Sequence, residues 1–225
     1  MPTTTTIAAA HPGAGGPRYG RTPHHPDDRI AQAVAEALGP ARSVFSSDAF
    51  PDHDGHRLPF EDQAFDAATM LCSAPHQRDI DSRLRELRRV TRGPVVLLAT
   101  DPARIQQFWL KRYAPDVLAV EARRHPAVGQ LAAALGGTTT IQPVPIPLDC
   151  TDTFDEAYYG RPEMLLDPAA RRAGSAWSFV DDRVREEFDT KLRQELRSGD
   201  WEARFGHLRR QPTYTGSLVI LRATP

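Results

Sequence analysis

Among the side chains of this sequence that could move a proton at neutral pH, His76 is placed most suggestively. It follows an apolar run and stands three residues before Asp79, close enough in sequence to pair with it. An imidazole with an ordinary pKa near 6.5 suits a general base, although a loop histidine serves equally well as a plain surface residue. Asp52, His53, Asp54 and His56 form a denser group of carboxylates and imidazoles, the ligand types that hold divalent ions. In a polar loop such a run usually stays solvated, and no metal is expected. Arg21, next to Tyr19, carries forked donors that match a carboxylate. Tyr158, Tyr159 and Trp177 offer aromatic walls for a pocket or, just as well, for a core. Gly13, Gly15 and Gly16 have the spacing of a phosphate loop, but no strand leads into them and no helix follows at once, so they read as a flexible tail.

The elements that must position these residues can be read from periodicity. Residues 1–17, with four consecutive threonines and then Pro and Gly, show no hydrophobic period and are expected to be a disordered tail. Pro26, Asp27 and Asp28 start a helix in which Ile30, Val34, Ala37 and Leu38 recur at helical spacing, and Gly39-Pro40 stops it. Val44-Phe45 suits a short strand. Residues 65–72 are mostly apolar without alternation, as a strand buried on both faces requires. Asp79 can cap a helix with Ile80, Leu84, Leu87 and Val90 on one face, ended by Gly93-Pro94, and residues 94–99 form a second buried strand. Strand, helix and strand make one right-handed βαβ unit. Residues 138–147 alternate well enough for a strand whose prolines favour an edge. Residues 153–208 read as helices with charged, solvated faces, including Val184, Phe188, Leu192 and Leu196 at spacing four, and residues 217–223 as a terminal strand.

Composition narrows the function classes. With 28 Lys+Arg against 29 Asp+Glu, no global field gathers nucleic acid or an anionic membrane, so neither is expected as a partner. Two cysteines, Cys72 and Cys150, are too few for a disulfide framework or a zinc site and fit a reducing cytoplasm. No apolar run reaches the ~18 residues of a membrane span, and the start of the chain lacks the pattern of a signal peptide.

Three stretches carry a resemblance: Leu58-Pro59-Phe60-Glu61-Asp62-Gln63-Ala64-Phe65-Asp66, Glu86-Leu87-Arg88-Arg89-Val90, and Gly93-Pro94-Val95-Val96-Leu97. In this order they resemble the middle of a class I S-adenosylmethionine-dependent methyltransferase of type 11. There an L-P-F segment, an acidic turn and F-D lead into the fourth strand, and an E-x-x-R-V helix and a glycine turn lead into the fifth. Tyr19-Gly20-Arg21, Asp149-Cys150-Thr151-Asp152, Ala157-Tyr158 and Arg161-Pro162-Glu163 are similar to a bacterial subgroup of these enzymes. The resemblance implies an α/β fold: a truncated Rossmann-like methyltransferase sheet with helices on both faces and a mainly helical cap at about 149–210, all in one domain over residues 18–225. It implies S-adenosylmethionine as cofactor, a small-molecule acceptor, His76 as catalytic base, and a cofactor site drawing on Tyr19, Arg21, Gly55, His56 and Cys72.

One family feature does not fit into this sequence. The first strand should run into a G-x-G-x-G turn and a second strand should end in an acid for the ribose, glycines being needed where backbone N–H groups approach the cofactor. Only residues 46–57 separate the first-strand candidate from Leu58, whereas two βαβ crossovers need roughly 60 residues. The second and third strands are therefore expected to be missing, with Gly55, His56 and Arg57 where the family carries an Ala-acid pair. Val44-Phe45 would then be an exposed terminal strand or no strand, and an exposed apolar edge invites a homodimer. Losing three or four polar contacts would weaken cofactor binding by about two to five powers of ten. Two further classes stay open: a non-catalytic relative serving as scaffold or regulator, and a cofactor-free enzyme working through His76.

Overall fold

A computed structural model of the chain describes residues 6–7, 27–47, 57–71, 79–173 and 175–225. They divide into two compact units. The first comprises Met1–Ala99, Gly129–Ile141 and Ile220–Pro225, and the second Thr100–Val128 and Gln142–Val219. The helical region expected from residue 149 thus has a sequence-distant companion, because the second unit also takes in the segment that follows Ala99.

The first unit is an α/β sheet structure. Strand β1 is Thr6–Ile7, helix α1 Asp28–Leu38, β2 Ser43–Ser46, β3 Ala67–Leu71, α2 Ile80–Val90 and β4 Val95–Thr100. Strand β5, Thr138–Pro147, and strand β6, Thr213–Thr224, complete the order β1-β2-β3-β4-β6-β5. β1 to β4 pair in parallel, with Val44 opposite Ala67 and Ala68 opposite Val95. Thr138 with Thr224, and Thr140 with Arg222, run in opposite senses along β5 and β6, as in an antiparallel pair. β4 is buried along Val95–Ala99, which accounts for its unbroken apolar sequence. β5, with Pro143, Pro145 and Pro147, ends the sheet, where missing N–H donors cost no ladder bond.

Local chemistry sets the helix starts. Asp27 caps α1 by accepting from Arg29 N–H, and Asp79 caps α2 by accepting from Ser82 N–H in a left-handed conformation that Asp tolerates better than most residues. One expectation needs correction. Thr6–Ile7 pairs with Ser43–Val44, so β2 is neither terminal nor exposed on that side. A two-residue parallel pairing has no periodic signature in sequence. Between Ser47 and Ala67 no strand occurs among the described residues, while residues 48–56 lie outside them.

The second unit is mainly helical: α3 Pro102–Ile105, α4 Pro115–Arg124, α6 Pro168–Ala173, α7 Asp182–Ser198 and α8 Asp200–Phe205, with α5 Val128–Leu135 lying almost wholly in the first unit. Trp109 packs edge-on against Tyr113 at 5.6 Å and Trp201 at 5.7 Å between ring centroids. The charged face of α7 is not wholly solvated as its pattern suggested. Glu195 is buried and accepts from Tyr113 Oη at 2.7 Å and from Arg112 Nη2 at 2.9 Å.

Candidate functional site

Parallel sheets bind ligands beyond the carboxyl ends of their strands, so the place to look in the first unit is the end of β2 and β3. The residues carrying the family resemblance turn out to build a frame around the turn that leads into β3. Phe60 and Phe65 meet edge to face at 5.0 Å and both contact Phe45 of β2, at 5.6 and 5.3 Å. Glu86 accepts from Leu58 N–H at 2.9 Å. Arg89 donates to the carbonyls of Leu58 at 3.1 Å and Phe60 at 2.9 Å, and to Glu86 and Asp62. The E-x-x-R spacing therefore serves as a clamp from α2 onto the turn that starts β3.

A second frame adjoins it at the amino ends of β2, β3 and β4. Asp66 accepts from Arg42 N–H at 3.0 Å, Ser43 N–H at 2.9 Å and the Arg92 guanidinium. The backbone bond from Ser43 and then Arg92 hold its carboxyl down to about 2. A Cβ on Gly93 would collide with the Asp66 carbonyl, which is why the turn before β4 carries glycine. An open cleft of 630 Å³ there is lined by Arg42, Asp66, Arg92 and Arg222 among others. It lies opposite the carboxyl ends, and its charges are largely engaged in the frame.

Of the residues predicted for the site, Tyr19, Arg21, Gly55, His56, Cys72 and His76 all lie outside the described residues, as do Asp52, His53 and Asp54. Among the described residues no group of His, Cys, Asp and Glu could hold a metal ion. The structure instead brings forward Arg83. Its side chain reaches from the start of α2 to Ser47, the residue directly after β2, and donates from Nη2 to Ser47 Oγ at 3.1 Å. The residue is only 8% exposed, and among the described residues its Nε has no hydrogen-bond partner. The sequence held a signal for it: position 83 falls on the apolar face of Ile80, Leu84, Leu87 and Val90, where an arginine breaks the pattern.

The second unit contains a different carboxylate. Glu156 stands in the single turn Asp155–Tyr158 with 6% exposure. It accepts from Ser217 N–H and Ser217 Oγ, both at 2.8 Å to Oε2. Burial pushes its pKa up to about 7 against the pull of the Ser217 bonds. A Cβ on Gly216 would stand 2.6 Å from the Glu156 Cδ and 2.7 Å from Oε1, so the chain beside the carboxylate has been cut back to glycine. Asp155, raised to about 6 mainly by burial, accepts from Trp177 Nε1 at 3.0 Å. Asp101, which follows β4, donates its N–H to the Ser217 carbonyl at 2.8 Å. Sequence reading passed over Glu156 because nothing in its neighbourhood marks it for burial. Of the aromatics weighed for a pocket, Tyr158, Tyr159 and Trp177 are all buried, and Tyr159 Oη donates to the Gln211 carbonyl at 2.6 Å. Arg161 of the subgroup motif donates to the Cys150 and Ala157 carbonyls, a structural use.

Residues 28–98, which span α1, β2, β3, α2 and most of β4, match the family model described as Methyltransferase domain. The fold agrees over a longer stretch. A presumed methyltransferase from an antibiotic biosynthesis pathway of Anabaena variabilis ATCC 29413 superposes with a TM-score of 0.69 at 20% identity, covering 81% of each chain. This chain has the class I methyltransferase fold. The α/β sheet expected from the resemblance is thus the observed one, and the clamp of Glu86 and Arg89 belongs to the family-matched segment. A weaker likeness, with a TM-score of 0.35 and 13% identity over 76% of this chain and 60% of the other, is to an S-adenosylmethionine-dependent methyltransferase of Thermotoga maritima. No curated protein sequence matches significantly.

Proposed function

We propose that this methyltransferase-fold chain moves a methyl group from S-adenosylmethionine to a small molecule. The observation that carries the reading is the family match over residues 28–98, whose β2, β3 and β4 run parallel and so point their carboxyl ends the same way. The buried, half-partnered guanidinium of Arg83 beside Ser47 at those ends is what a polar ligand would meet, and it fits the amino-acid end of the cofactor. When bound, S-adenosylmethionine supplies a methyl group already activated as a sulfonium, so the protein has to hold the acceptor in line and accept its proton. Cys72 directly follows β3, and His76 lies in the connection to α2. On this reading His76 takes the acceptor's proton, Cys72, Gly55 and His56 border the cofactor, and Tyr19 and Arg21 close over it.

The test is titration of the full chain with S-adenosylhomocysteine, followed by calorimetry at high protein concentration and by NMR of the ligand. Saturable binding with a dissociation constant on the order of 0.1–1 mM is expected, weaker than a site with a glycine turn would give because several polar contacts are absent. No binding at saturating ligand would overturn the reading in favour of a non-catalytic relative. A balanced surface charge and the absence of a membrane-length apolar helix among the described residues agree with a small-molecule partner. A cytoplasmic setting accords with the two cysteines, of which Cys150 is buried.

A further inference from the structure

We infer that Arg83 and Ser47 form the anchor for a carboxylate, and that the carboxylate is that of the cofactor's amino-acid end. The inference rests on the cofactor reading above and names the protein groups that would replace the absent glycine turn.

Three observations converge. The first is charge: Arg83 is 8% exposed, yet its only hydrogen-bond acceptor among the described residues is the neutral Ser47 hydroxyl. A buried guanidinium without an anion is costly, so such a group is ordinarily paired. Arg171, the other buried arginine among the described residues, shows the contrast: it donates to the Asp189 carboxylate and to the Leu165 carbonyl.

The second is direction. Among the described residues Nε has no partner while Nη2 is anchored on Ser47, so the edge made by these two nitrogens, the edge that matches the two oxygens of a carboxylate, is the one with donors to spare. The third is position. Arg83 lies in the first turns of α2, an eleven-residue helix, where the helix dipole disfavours a cation and favours an anion. Ser47 comes directly after β2, whose carboxyl end is the ligand side of a parallel sheet. A carboxylate placed there would neutralise the guanidinium, satisfy Nε and face the helix start at once. A sulfonium would do none of these, and an adenine could accept from Nε but would leave the guanidinium charge unpaired.

The experiment compares two ligands on three proteins. S-adenosylhomocysteine carries the carboxylate, whereas 5′-methylthioadenosine shares the thioether and nucleoside but lacks the amino-acid end. Calorimetry and ligand NMR are run on the full chain, on Arg83→Gln and on Arg83→Lys, with thermal melts to confirm that each is folded; if Arg83→Gln does not fold, Ser47→Ala takes its place. The expected result is that Arg83→Gln weakens S-adenosylhomocysteine at least tenfold and leaves 5′-methylthioadenosine within twofold, with Arg83→Lys between the two. Equal loss for both ligands, or no loss for either, overturns the carboxylate anchor while the cofactor reading stands. Should the unaltered chain bind methylthioadenosine as well as S-adenosylhomocysteine, the anchor is likewise overturned. Binding of neither ligand by the unaltered chain defeats the cofactor reading, and the anchor with it.

Discussion

Glu156 shows how one side chain can make stability depend on pH. Its carboxyl goes from 4.5 in the ordinary state to about 7 in the fold, because burial outweighs the Ser217 bonds. Between those values the folded chain keeps a proton that the unfolded chain has released. Stability from this group is therefore full below pH 4.5, falls as pH rises, and is lost above about 7. The expected size is on the order of 3 kcal/mol. Glu156→Gln, neutral at every pH, should shrink the difference between urea midpoints at pH 5 and pH 8 by the equivalent of roughly 2–3 kcal/mol. An unchanged difference would show that the carboxyl titrates normally. Gly216→Ala tests the neighbouring fit. Its Cβ would press on the same carboxylate, so a loss of about 1–3 kcal/mol is expected in urea unfolding.

At the scale of elements, the joint between α2 and the turn before β3 is held by the Arg89 fan of bonds to Leu58, Phe60, Asp62 and Glu86. Arg89→Ala removes two acceptor-satisfying bonds to backbone carbonyls and leaves Glu86 without its cation. Loss of about 2–4 kcal/mol is expected, and Arg89→Lys should restore little of it, since one ammonium cannot reproduce the planar fork. Hydrogen exchange at the Leu58 amide, bonded to Glu86, is the local readout: it should quicken in Arg89→Ala. A null effect on that amide would mean the clamp is redundant. At the edge of the sheet, β1 covers β2 through Thr6 and Ile7 alone among the described residues. Deleting residues 1–10 uncovers that edge, and sedimentation at high concentration should then show more self-association than the full chain does.

For the whole molecule, the three tryptophans Trp109, Trp177 and Trp201 all belong to the second unit, whereas α1, α2 and β1 to β3 belong to the first. Indole fluorescence therefore reports one unit and far-ultraviolet dichroism reports both. The chain passes between the units after Ala99, Val128, Ile141 and Val219, and β5 and β6 each contribute residues to both. Because β5 and β6 each run through both, loss of either strand takes residues from both units. The two signals should follow one coincident denaturation curve, and separated midpoints would show that the units unfold independently.

How much of this was legible in the sequence depends on the range of the forces involved. Helices α1 and α2, the buried strands β3 and β4, and the edge position of β5 followed from local rules: an Asp cap, apolar spacing, and prolines that cannot donate. The order of the motifs around Phe65, Glu86 and Gly93 was enough to indicate the methyltransferase fold. What those motif residues do was decided by tertiary structure alone, since Glu86 and Arg89 act on Leu58 and Phe60 across more than twenty residues of chain. The same holds for Thr6–Ile7 beside β2, for Glu195 and Glu156 buried out of charged or polar-looking segments, and for Arg83 drawn under the end of β2. Burial of a charged group is a property of everything packed around it, and a sequence window sees only its neighbours along the chain.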